Sequence, residues 1–161
     1  MLYAITVACM AILSIYANTL VQDLHRENHK SEIRGQMYRE QLDRILRMYN
    51  HTLRDPSHSE LMSFIWDDGT DDHDYVDGVY ECSEFSYALI ANATAEGIRC
   101  GYTYLQYPDH NGHAIVAFDM TDGGRVYIDP QSDIWYRNVA PGGTFDGDPI
   151  LDMDVFWCGG D

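Results

Sequence analysis

The chain has 161 residues, room for one domain of about 100 to 150 residues with an extension but not for two full domains. Its 26 acids outweigh 10 Lys and Arg for a net charge of -16, which argues against a nucleic-acid partner, because phosphate contacts need clustered cations. Asp outnumbers Glu by 19 to 7 and Lys30 is the only lysine, a composition suited to molar salt, where a Debye length of about 3 Å screens self-repulsion.

In chain order, residues 2–21 come first, uncharged and mostly apolar, and about 20 such residues suffice to cross a bilayer core. The leading expectation is a single N-terminal membrane anchor over 1–21. A cleaved signal peptide and a helix buried in a multi-chain assembly are the alternatives, although no Lys or Arg precedes the run as a signal peptide would require. Arg26, Lys30 and Arg34 follow at once and favour a cytoplasmic flank, whereas an enzyme acting on an envelope needs the opposite, so the side of the membrane is left open. Over residues 22–54, Ile33, Met37, Leu42, Ile45, Leu46 and Tyr49 recur at spacings of mostly three to five, the pattern of an amphipathic helical stalk. Residues 1–54 carry a net +2 and residues 55–161 a net -18, so Asp55-Pro56 is the expected start of a separate acidic domain.

Within that domain Ser59 to Trp66 reads as a short helix capped by Ser57 or Ser59. Residues 67–74 hold five acids and no apolar period. Calcium prefers such oxygen ligands, but the acids do not alternate as an EF-hand loop requires, and a solvated loop is expected. A second helix begins at Cys82, with Phe85, Ala88, Leu89 and Ala93 on its apolar face and Gly97 as its end. A cysteine at a helix N-terminus meets the positive end of the dipole and free N–H groups, which favour thiolate and offer an oxyanion donor. Residues 98–107 then read as a strand, 108–112 as a turn, His113 to Met120 as a second strand, 121–124 as a hairpin turn, and Arg125 to Asp129 as a third strand ended by Pro130. One hairpin therefore sets His113 and Asp129 at the same end of a sheet, where a carboxylate can orient an imidazole whose other nitrogen faces a thiol.

The elements Gly78-Val-Tyr-Glu-Cys82, Gly97-Ile98, Gly112-His113-Ala and Ile128-Asp129-Pro130, in this order, resemble the core of the transglutaminase-like superfamily over about 60 residues. The resemblance implies an α+β, papain-like core, a nucleophile helix on a small antiparallel sheet, preceded here by the long N-terminal helix. It further implies a cysteine amidase, peptidase or acyltransferase in which Cys82 attacks an amide carbonyl, His113 moves the proton and Asp129 orients His113. The second oxyanion donor is left among Trp66, Tyr75 and Tyr80. Expected partners are a peptide or protein substrate and, through residues 1–50, a membrane or other helices, with oligomers allowed. No cofactor is implied. Zinc is disfavoured because the close pairs His25 with His29 and His110 with His113 lack a third ligand nearby. Cys100 and Cys158 could form a disulfide in an oxidising compartment, with pairing not fixed by sequence. Asn50 and Asn92 match the glycosylation pattern, Asn92 inside a helix. Ile150-Leu and Val155 to Trp157 are expected to pack on the sheet. The alternative function is a structural or interaction module of an envelope or virion assembly.

Overall fold

The structure is a computed structural model that describes residues 16–22, 24, 25, 41, 42, 45, 52–109 and 111–159. The chain divides into two compact units, Met1–Tyr38 and Arg39–Asp161. In the first, the described residues 16–22, 24 and 25 are helical.

The second unit begins its regular structure with α1, His58–Asp67. Ser57 caps it in extended backbone: the Glu60 N–H donates to Ser57 Oγ at 3.3 Å and the Ser57 N–H to Glu60 Oε2 at 2.8 Å. This reciprocal box satisfies two orphan donors, and Leu61 and Ile65 then face the core. The second helix, α2, is Cys82–Ala95, with Phe85, Leu89, Ile90 and Ala93 buried. It ends where Gly97 takes φ +74°, letting the Ile98 N–H turn back to the Ala93 carbonyl at 2.9 Å.

Seven strands follow: β1 Gly101–Gln106, β2 His113–Met120, β3 Gly124–Asp129, β4 Ile134–Tyr136, β5 Thr144–Phe145, β6 Asp148–Pro149 and β7 Asp152–Trp157. Five of them form one antiparallel sheet in the order β4-β3-β2-β1-β7, and β5 pairs with β6 in a small hairpin. The centre is β2, whose Ala114 to Phe118 are all 0% exposed, and it runs apolar on both faces because both are covered. On one face lies α2, with Tyr87 stacked on Tyr102 of β1 at 5.2 Å. On the other, Leu105, Ile115, Ala117 and Tyr127 pack with Tyr107, Val139, Phe145 and Ile150 from the later loops. Burying a Phe or Leu side chain of this kind stabilises by about 1.5–3 kcal/mol each, so both layers hold β2 in place.

This described architecture replaces the expected one, a transglutaminase-like, papain-like core behind a long N-terminal helix: it is a five-stranded antiparallel sheet with short helices. The anchor expected over 1–21 and the stalk over 22–54 lie mostly outside the described residues. Among the described residues no long N-terminal helix is present, and no helix is long and apolar enough to cross a membrane. The expected membrane localisation is corrected accordingly. The physical reason is that an apolar stripe states a need for burial without naming what covers it: Leu42, read as part of a stalk, is 3% exposed within the second unit.

Candidate functional site

The β2–β3 hairpin fixes two side chains at once. Its register pairs Val116 with Ile128, so one step on Asp129 stands opposite Ile115, and His113 is the diagonal neighbour two residues along the same face. His113 Nε2–H donates to Asp129 Oδ2 at 3.0 Å. The other carboxylate oxygen, Oδ1, accepts the Gln131 N–H at 3.0 Å, so the turn after Pro130 holds the carboxylate from behind. Cys82, the first residue of α2, also acts on His113 and helps to raise its imidazole. The structure therefore brings Cys82, His113 and Asp129 together from one helix start, one strand start and one strand end.

Burial of His113, whose side chain is 20% exposed, opposes its charge, but the hydrogen bonds to Asp129 and Cys82 and their negative charge outweigh it and push the imidazole up to about 9. Cys82 is half-buried. Its N–H and that of Ser83 open α2 and have no intrahelical acceptor. Ser83 Oγ lies 3.1 Å from the Tyr102 hydroxyl, tying the helix head to β1. Gly112 precedes His113 where a Cβ would overlap the Tyr104 ring and the Leu105 carbonyl, so only glycine lets this loop approach β1.

A cleft of about 340 Å³ opens beside His113, bounded by Tyr107, Asn111, Gln131, Phe145, Asp146 and Asp148. The Phe145 ring lies 5.4 Å from the His113 ring and 4.3 Å from Tyr136, forming an aromatic wall. Burial, then the charges of Asp148, Asp129 and Asp146, push the Tyr107 hydroxyl up to about 12. A larger cleft of about 570 Å³ lies between α1 and the end of α2, bounded by Glu60, Asp68 and Asn92 among others, and none of the three clustered residues touches it.

Of the three residues considered for a second oxyanion donor, Trp66 is 87% exposed on α1 and Tyr80 packs edge-on against Phe85 at 4.6 Å. Desolvation, then Glu81 and Cys82, raise the Tyr75 hydroxyl, which places Tyr75 within electrostatic range of Cys82. Phe145, Asp146 and Asp148 escaped the sequence reading because the β5–β6 hairpin reaches the site only through the tertiary fold. Gln131 had a signal: an Asp-Pro-X turn returns the X amide to the carboxylate.

No protein-family model and no curated protein matches the chain. Among solved structures it is similar to a Polyporus squamosus lectin bound to the human-type influenza-binding epitope Neu5Aca2-6Galb1-4GlcNAc, at 12% identity and a TM-score of 0.46 over 52% of this chain and 34% of that one. It is similar also to a PSL1a-E64 complex, at 12% identity and a TM-score of 0.48 over 65% of this chain and 42% of that one. The chain thus spans less than half the length of either, and the glycan belongs to that lectin. The transglutaminase-like, papain-like assignment, and with it the cysteine-protease label, is corrected: no family model supports the superfamily. The motifs behind it are a helix start, a helix stop, a turn and a strand end, and such local chemistry recurs on unrelated folds.

Proposed function

We propose that the chain is a thiol enzyme that cleaves or transfers the acyl group of an amide through Cys82, His113 and Asp129. The observation that carries this reading is the imidazole of His113, held between Asp129 Oδ2 at 3.0 Å and the Cys82 thiol at the edge of an open cleft. The Cys82 proton passes to His113, and the sulfur attacks the carbonyl carbon. The N–H groups at the head of α2 receive the oxyanion. As the tetrahedral intermediate collapses, His113 returns the proton to the leaving amine and a thioester remains on Cys82. Water, or an amine, then loses a proton to His113 and attacks that thioester, which restores the thiol. Asp129 keeps the ring oriented and stabilises its charged form throughout. Asp146 and Asp148 on the His113 side favour a substrate with positive charge on its leaving or accepting amine over an anionic one.

The test is acyl trapping with an activated p-nitrophenyl ester. The proposal expects a burst of p-nitrophenol and one acyl group mapped to Cys82, both lost in Cys82→Ala. An acyl group on other residues only, or an equal burst from Cys82→Ala, overturns it. Glycan binding by a chain whose Cys82 stays unacylated would instead assign the domain to recognition.

A further inference from the structure

Cys100 and Cys158 lie away from the site, each 0% exposed. The β1–β7 register pairs Gly101 with Trp157, so the next pair outward is Cys100 with Cys158. The Cys158 N–H donates to the Cys100 carbonyl at 2.9 Å, which carries the ladder to that position. Directly opposed residues of antiparallel strands have Cα atoms about 4.5 to 5.5 Å apart, inside the range of about 4.4 to 6.8 Å that a disulfide spans. Cys158 is the first cause that raises the Cys100 thiol, which sets the two sulfurs beside one another. Among the described residues no group of three His, Cys, Asp or Glu stands where it could hold a metal.

We propose that Cys100 and Cys158 are a covalent modification site: a disulfide that staples the edge strand β7 to β1 when the chain meets a small-molecule disulfide oxidant. One cysteine thiolate attacks the oxidant and releases one thiol, leaving a mixed disulfide. The other attacks the protein sulfur of that mixed disulfide and releases the second thiol. Two electrons and two protons leave the cysteines, and the oxidant becomes two thiols. The closed loop covers residues 101–157 and so encloses β2, β3 and the cleft. Because among the described residues β7 pairs only with β1 in the sheet, the staple acts where the sheet opens first. Hydrogen bonding to Cys158 and burial keep the Cys100 thiol protonated, so the reaction is slow in the closed sheet and proceeds during folding or through opening of β7.

The test refolds the full chain with glutathione disulfide, alkylates remaining thiols in denaturant and maps the peptides by mass. The inference expects one linked Cys100–Cys158 peptide in a monomer, a Cys82 that still alkylates, and a melting temperature several degrees above that of the reduced chain, reversed by reductant. Cys100→Ala and Cys158→Ala each abolish the linked peptide; should a variant not fold, the wild-type map still decides. Finding both cysteines alkylated, or either joined to Cys9 or Cys82, overturns the inference.

Discussion

Cys82 and the pair Cys100–Cys158 place the same side chain in two environments. Cys82 is half-buried, heads a helix and meets a base that is itself held by a carboxylate. Cys100 and Cys158 are wholly buried and stand beside each other. A thiol is nucleophilic where a proton acceptor and an approach path coexist, and it packs like a small apolar group where both are missing. The first setting suits transient covalent chemistry on a substrate, the second a lasting bond within the fold.

The comparison breaks most sharply at Asp129. Asp129→Asn keeps the shape but removes the acceptor of the His113 proton. Turnover of an activated ester should fall about a hundredfold to ten-thousandfold, while Cys100 and Cys158 stay unreactive in the native state. A pH series sharpens the same point. The folded chain holds the His113 proton up to about 9 against an ordinary 6.5. Stability from this raised group is therefore full below about 6.5 and is lost as pH rises through about 9. Activity should show an alkaline limb near 9, because a neutral imidazole cannot protonate the leaving amine, and Asp129→Asn should move that limb down.

On the other side of the comparison, Cys100→Ala leaves a gap between β1 and β7 and strips Cys158 of its partner. It should cost about 1 to 3 kcal/mol in denaturant unfolding while leaving Cys82 labelling unchanged. The smallest effect is expected at Asp133. Burial and the charges of Asp71, Asp68, Asp129 and Asp72 push its carboxyl up to about 6, and Oδ1 is buried without a hydrogen-bond partner. The folded state therefore favours the protonated form, and stability from this group is lost as pH rises from 3.8 through about 6. Asp133→Asn removes that cost and tolerates φ 55°, so it should stabilise by about 1 kcal/mol at neutral pH after allowance for solvent screening. The gain should vanish near pH 4.

Much of the central hairpin was legible because its signals are local. The apolar run His113 to Met120 ends at a Thr-Asp-Gly-Gly turn, and the observed β2 has those same ends. Ser57 with Glu60 marks the start of α1 for a similarly local reason. The ordering of strands was not legible, since β7 pairs with β1 across the whole domain and no short-range feature of Asp152–Trp157 encodes that partner. The aromatic wall and acids around His113 come from the same long-range packing. The family assignment failed for the converse reason: it joined four local motifs into a topology that none of them determines.

The most direct measurement of the central claim is the iodoacetamide alkylation rate of Cys82 near neutral pH, set beside a free model thiol and the His113→Asn variant. The account predicts that Cys82 reacts at least about tenfold faster than the model thiol and loses that advantage in His113→Asn. A wild-type rate no greater than the model thiol, or one that His113→Asn leaves unchanged, contradicts it.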